Sequence, residues 1–373
     1  MRTLSRSAAA TLAAATMVLG TAACSPPEKE SESASSSAAT ATSAADLGGL
    51  DALIAEAKKE GQLNVIALPP NWANYGEIIK AFGAKYGLKV NSAQPDGSSQ
   101  DEINAATQLK GQDTAPDVFD LGGAVATANV AMFAPYKVAT FDEIPAGLKN
   151  ADGAWVNDYG GYMSIGYDSS KVPAPTSVDD LLKPEYKGKV ALNGDPTQAG
   201  AAFGGVQMVS VAKGGSPEDV KPGVDFFGQL KKAGNFLPVD PTPATIASGQ
   251  TPVVFDWDYL NTAGATKVTT WKTFVPSNAV LGSYYVQAIN KDAPHPAAAR
   301  LWQEFLYSDE GQNLWLKGGA RPVRADAMQK AGTIDATAFG ALPKVEGTPV
   351  IPTEAQNTKA KEYLAANWAK AVG

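Results

Sequence analysis

The stretch Leu63–Tyr75, LNVIALPPNWANY, constrains the fold of this chain more than any other. Leu63 to Leu68 is an apolar run with the length and composition of a buried strand, and Pro69-Pro70 ends it because proline brings no N–H to a ladder. Trp72 and Tyr75 follow, and the spacing of Ile78, Ile79 and Phe82 then predicts a helix over 76–86, stopped by Gly87. In open α/β sheets, ligands collect outside the carboxyl ends of the strands, so two aromatic side chains at this point suit the wall of a cleft. The competing role for both rings is core packing.

The pattern repeats down the chain. A helix over 47–59 precedes the Leu63 strand, Leu88-Lys89-Val90 is the next strand, and Pro95-Asp96-Gly97-Ser98-Ser99 is a turn cluster. Ser98 or Ser99 caps the helix that follows, with Glu102 three residues after Ser99 as in a capping box. Asp117–Leu121 is a third strand, and the β-α-β-α-β order predicts a parallel sheet with right-handed crossovers. Trp155–Tyr167 alternates and carries Gly160-Gly161, which reads as a strand where the chain crosses to a second lobe. A second α/β pattern follows over 176–273. It contains helices at Ser177–Leu182, Gln198–Ala212 and Glu218–Lys232, and strands at Lys189–Leu192 and Pro252–Asp256, the last leading into Trp257-Asp258-Tyr259. The chain returns at Ser283–Ile289 and closes with helices Ala297–Tyr307, Glu310–Leu316 and Ala355–Ala371. A length of 373 residues accommodates two such lobes. The expected division is lobe 1 over 46–160, lobe 2 over 161–276, and a return to lobe 1 with C-terminal helices over 277–373.

The N-terminus does not belong to this framework. Arg2 and Arg6 form a positive start, 8–20 is a short apolar run, and Thr21-Ala22-Ala23 is a small-residue triplet. Residues 1–23 therefore read as a cleaved secretory signal, since the run is too short to span a bilayer. Cys24 follows at once and is the only cysteine, so no internal disulfide forms. Its position resembles the lipobox of bacterial lipoproteins, which implies lipidation of Cys24. Two acyl chains would anchor the mature protein stably to the outer face of the cell membrane. Residues 24–45, rich in Ser, Ala and Thr and nearly free of bulky apolar side chains, read as a flexible tether. The formal net charge of −7 becomes more negative when Arg2 and Arg6 leave with the signal. An acidic chain with no basic block is not expected to bind nucleic acid and suits a cationic or neutral ligand.

Four stretches, in order, resemble the bacterial ABC-transporter solute-binding proteins: LNVIALPPNWANYGEIIKAFGAKYGLKV, APDVFDLGG, TSVDDLLKPEYKGKVALNGDPTQAG and VQAINKDAPHPAAARLWQEFLYSDEGQNLWLKGGARPVR. They resemble most the branch that binds spermidine and putrescine. That resemblance implies a two-lobed α/β periplasmic-binding-protein fold of type II, each lobe a mainly parallel sheet flanked by helices and joined by hinge strands. It also implies a monomer without cofactor or catalysis, closing on one small solute and docking on the transmembrane subunits of an ABC permease. Residue by residue, Trp72 and Tyr75 match an aromatic pair of the branch, Asp195 an acidic position and Trp257 a tryptophan that ends a strand of the second lobe. Gln198 stands where the branch has a second acidic residue, and Ser283-Tyr284-Tyr285 stands where it has an aromatic and an Asp. A box tyrosine is missing at Gly122–Ala124. The reduced carboxylate set favours a smaller amine than a long polyamine, including one that carries a carboxylate of its own.

The chemistry is consistent with that ligand class. A cleft that takes an ammonium group must replace its water with carboxylates and ring faces, each cation–π contact being worth about 0.5–2 kcal/mol. Asp195 and Asp258 are the expected carboxylates and Trp72, Tyr75, Trp257 and Tyr285 the aromatic box, with Asp96 and Ser98 as further contacts. Asp258 has a helix cap as its competing role, and Asp195 and Asp96 have turns. Of Tyr284 and Tyr285, alternation lets only one face the cleft. Three other readings compete. The same fold could take an anionic solute or ferric iron, the latter through Tyr284-Tyr285. A secreted hydrolase could use Asp256 and Asp258, although the sequence has no G-x-S-x-G, H-E-x-x-H or phosphate-loop pattern and His295 is its one histidine. The third is a lipid-anchored structural or adhesion protein.

Overall fold

The computed structural model describes residues 37–373; the signal sequence, Cys24 and the rest of 24–36 lie outside the described residues. Residues 37–45, expected as flexible tether, are instead packed: Ala38 and Ala41 are buried, and Arg300 donates to the Ala39 and Ala41 carbonyls, both at 2.8 Å. The chain lays down α1 (Leu50–Glu60), β1 (Gln62–Ile66), α2 (Tyr75–Tyr86), β2 (Lys89–Ala93), α3 (Ser99–Gln108), β3 (Val118–Leu121), α4 (Gly123–Ala128), β4 (Phe133–Ala134) and the long β5 (Val156–Asp168). Next come β6 (Val190–Leu192), α5 (Gly200–Ala212), α6 (Lys221–Ala233), α7 (Pro243–Ser248), β7 (Val253–Trp257), α8 (Asp258–Gly264) and β8 (Trp271–Phe274). The chain ends with β9 (Gly282–Asn290), α9 (Pro296–Leu306), α10 (Asp309–Lys317), β10 (Arg321–Pro322), α11 (Ala325–Ala331), α12 (Ala336–Gly340) and α13 (Glu354–Val372). Ser177–Leu182, expected as an α-helix, is a short 3-10 turn over Val178–Leu182 with a Ser177–Asp180 capping box.

The parallel pairing expected from the β-α-β order is present in β1–β2, with Leu63 opposite Val90, and in β6–β7, with Val190 opposite Val253. The central sheet as a whole is mixed, because β5 and β9 run antiparallel to their neighbours. The first half of β5 pairs with β9 and β10, and its second half with β7 and β8. One thirteen-residue strand thus belongs to both halves of an α/β molecule. Where β5 meets β9 the register shifts between Asn157 and Gly160. A Cβ on Gly160 would lie 2.2 Å from the Ser283 carbonyl oxygen, so only glycine allows this approach.

Helix α2 buries Tyr75, Ile78, Phe82 and Tyr86, the i, i+3/i+4 stripe of an amphipathic helix. Phe82 meets Trp302 and Phe305 of α9 edge-on at 5.0 and 5.6 Å. In the second half Phe227 of α6 packs on Phe255 of β7 at 5.3 Å and on Trp368 of α13 at 5.5 Å, so the last helix of the chain leans on the second half. Strand β3 is fixed at its start by Asp117, which accepts from the Asn64 backbone N–H at 2.7 Å and from the His295 backbone N–H at 2.8 Å. Those bonds set β3 beside β1 and fix where its carboxyl end emerges.

Candidate ligand-binding cleft

A cleft of about 820 Å³ opens beyond the carboxyl ends of β1, β3 and β7, within the size range of small-molecule sites. Of the expected site residues, Trp72, Asp96, Ser98, Trp257 and Tyr285 line it. Tyr75, Asp195 and Asp258 do not, and each has a physical reason.

Tyr75 lies at the start of α2, fully buried behind Trp72, and its hydroxyl donates to Asp120 Oδ2 at 2.9 Å. Asp195 is exposed, and its Oδ1 accepts from the Thr197 backbone N–H at 2.8 Å and from the Thr197 hydroxyl at 2.7 Å, the turn role that competed for it. Asp258 is fully buried at the first turn of α8, where it accepts from the Tyr162 backbone N–H at 3.0 Å and meets the Arg321 guanidinium at 3.3 Å. Burial raises Asp258 to about 6, offset in part by Arg321. Its charge is therefore directed to the β5–β10 junction rather than to the cleft. Ser98 lines the cleft but also caps α3 with Asp101 as its box partner, one residue earlier than the Ser99–Glu102 box expected.

That shift in the capping box turns Glu102 inward. Its carboxylate accepts from the Asp120 backbone N–H at 2.9 Å, while Ser99 Oγ accepts from the Gly122 N–H at 3.0 Å. Asp120, near the end of β3, was missed as a ligand candidate in the sequence. It is 8% exposed, lines the cleft, and its Oδ1 has no hydrogen-bond partner. Beside it, Asp158 Oδ2 accepts from Gln287 Nε2 at 2.9 Å. Glu102 and Asp120 thus line one side of the cleft with Asp158 buried behind them, and no lysine or arginine pairs with any of the three among the described residues. Burial raises Asp120 to about 7, against the hydrogen bonds from Tyr75 and Tyr159 that lower it, and it pushes Glu102 and Asp158 well above the usual carboxylate range. The signal available in the sequence was an Asp inside the apolar run Val118-Phe119-Asp120-Leu121, since a charged residue in a buried strand is rarely idle.

Aromatic rings surround this carboxylate. Trp72 meets Tyr259 and Tyr285 edge-on, each at 5.9 Å, and its indole N–H donates to Tyr159 Oη at 2.8 Å. Tyr159 stacks on Tyr285 at 5.4 Å and sits 3.3 Å from Asp120 Oδ2, so a hydrogen-bonded chain runs from Trp72 through Tyr159 to the carboxylate. The loop that carries Trp72 is unusual in its backbone: Ala67, Ala73 and Asn74 all have positive φ, at 55°, 45° and 69°. Non-glycine residues held there cost about 1–3 kcal/mol each and concentrate at functional sites. Across the cleft Trp257 ends β7 with its indole N–H unpartnered, seated on Gly204, where a Cβ would come within 3.1 Å of the ring. Tyr284, near Tyr162 and Arg321, also lines the cleft, so both tyrosines border it where alternation had allowed only one. Gln198, Phe203, Gln207, Asn357 and Lys361 complete the polar and apolar lining.

No group of three or more His, Cys, Asp or Glu side chains that could hold a metal ion occurs among the described residues, and no described helix is long and apolar enough to cross a membrane.

Comparison with known proteins yields one family. The family described as bacterial extracellular solute-binding protein matches residues 126–339. No curated protein sequence matches. Among solved structures, the periplasmic binding protein P5PA superposes with a TM-score of 0.65 at 18% identity, covering 84% of this chain and 100% of its own. AgtB from A. tumefaciens R10 in complex with agropinic acid gives 0.65 at 15% identity, covering 84% and 98%. Iron-bound HitA from Pseudomonas aeruginosa gives 0.60 at 20%, covering 84% and 99%. At these identities the structural likeness establishes the fold: two α/β lobes of the type II periplasmic-binding-protein class.

Proposed function

This chain belongs to the bacterial extracellular solute-binding proteins, and on that premise we propose that its cleft captures a small amine-bearing solute for an ABC importer. The family places the chain outside the cytoplasm, partners it with an ABC permease and a small-molecule ligand, and consists of binding proteins rather than enzymes. The amine is our own reading. The observation that carries it is Asp120, a carboxylate 8% exposed that lines the cleft with Oδ1 unpartnered and no cation paired to it. A buried carboxylate without a counter-charge is costly, and a ligand ammonium group would relieve that cost while gaining a charge-assisted hydrogen bond. Trp72, Trp257 and Tyr285 supply ring faces for the remainder of the cation.

In this reading β5 is the central hinge strand, because its first half pairs with β9 and its second half with β7, and β9 brings the chain back to it. The lobes divide along β5, with 46–160 in the first, 161–276 in the second and the chain returning after 277. A solute that contacts both lobes favours the closed form only by its extra affinity for that form. The mature protein is a monomer tethered through lipid on Cys24, and the spacer ends before Ala38, which is buried with Ala41 against Arg300.

The test is a thermal-shift and calorimetry screen of ligand-stripped protein with putrescine, spermidine and 4-aminobutyrate, beside phosphonates and ferric citrate. An amine at 100 times its dissociation constant should add about 2.7 kcal/mol of stability. Asp120→Asn keeps the side-chain shape and removes the charge, so it should abolish the amine effect while the protein stays folded. Binding of an amine undiminished in Asp120→Asn, or of an anion or iron alone, would overturn the reading.

A further inference from the structure

The wall of the cleft built by the C-terminal helix has the opposite chemistry to Asp120. Lys361 of α13 is the only basic residue among those lining the cleft. It has no ion pair or hydrogen bond among the described residues, and its ammonium group lies 5.4 Å from the centre of the Phe203 ring. One turn earlier on the same face, Asn357 also lines the cleft, and residues four apart on a helix are neighbours. Gln207, buried to all but 3%, donates from Nε2 to Asn357 Oδ1 at 3.0 Å and to the Pro217 carbonyl at 2.8 Å. With its oxygen engaged by Gln207, Asn357 has its NH₂ group left to donate. Two donors one turn apart, one of them charged, form an anion-accepting edge.

This edge is held in place. Val350 pairs with the start of β9, through Gly282 N–H to Val350 O and Val350 N–H to Val280 O, both at 2.8 Å. Ile351 and Pro352 then pass along the cleft, and α13 is anchored by Trp368 against Phe227 and Phe236. The family match ends at residue 339, so this wall comes from a part of the chain beyond it.

We propose that Lys361 and Asn357 receive the carboxylate of the solute while Asp120 receives its ammonium group, so that the ligand class is an amino-carboxylate with its two charges at opposite ends. The proposal rests on the amine reading and narrows it. A diamine of the same length would set its second ammonium against Lys361, a like-charge contact that the site disfavours.

Calorimetry on length-matched pairs tests this directly: 4-aminobutyrate against putrescine, and 5-aminovalerate against cadaverine. The amino-carboxylate should bind at least about tenfold more tightly than its diamine, the scale of one hydrogen bond to a charged group. Lys361→Gln should erase that gap by weakening the amino-carboxylate alone, and Lys361→Glu should reverse the order. Because Lys361 is on the exposed side of its helix, both variants should keep the parent melting temperature, and Asn357→Leu gives an independent second loss. Diamines that bind as tightly as the amino-carboxylates, or a gap that survives Lys361→Gln, would overturn the proposal. If diamine binding is at the same time lost in Asp120→Asn, the amine reading stands and only the zwitterion falls. Plain butyrate binding that needs Lys361 and ignores Asp120 would overturn both.

Discussion

The Tyr75 hydroxyl donates to Asp120 Oδ2 at 2.9 Å, while Oδ1 of the same carboxylate is buried without a partner. If Asp120 holds the amine as proposed, Tyr75 acts on it through that carboxylate. Removing its hydroxyl in Tyr75→Phe takes away a bond that favours the ionised carboxylate, so Asp120 should rise further and hold an amine less well. Hydrogen bonds to charged groups are worth about 1.5–3 kcal/mol, which predicts roughly a tenfold loss of amine affinity at pH 7. A pH titration of binding separates this from a packing defect: the loss should shrink at pH 9, where Asp120 is ionised in either protein.

Amine binding should itself follow pH. Burial raises Asp120 to about 7, and a bound ammonium favours its ionised form. Below that value the carboxylate must lose a proton before it can pair, so affinity should fall about tenfold per pH unit from pH 6 downward and level off above pH 8. Calorimetry near pH 7 in two buffers of different ionisation enthalpy should show proton release on binding. A pH-independent affinity between 5.5 and 8 would remove Asp120 from the contact.

Asp195→Ala should leave ligand affinity within about twofold of the parent, because that carboxylate closes a turn on Thr197 and lies outside the cleft lining. Its cost is the loss of local side-chain-to-backbone bonds, about 1 kcal/mol in chemical denaturation.

The stability of the empty protein should decline as pH rises from about 4 to about 7.5. Glu60, Asp256 and Asp258 are raised by burial to about 7, 7 and 6 from ordinary values of 4.5, 3.8 and 3.8. The folded state then binds more protons than the unfolded chain across that interval. This contribution is fully present below the unfolded values and is lost as pH passes the folded ones. The melting temperature should be higher at pH 5 than at pH 8. Asp256→Asn keeps one oxygen for the Trp257 N–H and turns an NH₂ toward Asn193, whose amide can flip to accept it, so the variant should flatten the slope and raise stability at pH 8.

Gly160→Ala should destabilise the β5–β9 junction by several degrees of melting temperature. A Cβ there would sit 2.2 Å from the Ser283 carbonyl and 2.7 Å from the Tyr284 ring, which forces two paired strands apart. Alanine at Gly123, which has nothing within 4 Å of a new Cβ, serves as the control.

The chain order of elements was readable because helix and strand periods are local. The stripe of Ile78 and Phe82 and the runs at Leu63, Lys189 and Pro252 all became elements within a few residues of their expected bounds. The aromatic positions Trp72, Trp257 and Tyr285 were also legible, since each follows or lies in a strand whose end defines the cleft. The carboxylates were not. Asp195 and Asp120 look alike in sequence, and what separates them is whether a partner reaches each: Thr197 lies two residues away, whereas Tyr75, Glu102 and Tyr159 approach Asp120 from three other elements. Asp258 was withdrawn from the site by Arg321, 63 residues along the chain, and Lys361 was brought to it by a helix packed on Phe227 and Phe236. The sequence by itself determined a two-lobed α/β chain with rings at its strand ends, because those features are set by neighbours along the backbone. Which charges line the cleft was decided only by tertiary structure, because burial and pairing depend on residues far apart in the chain.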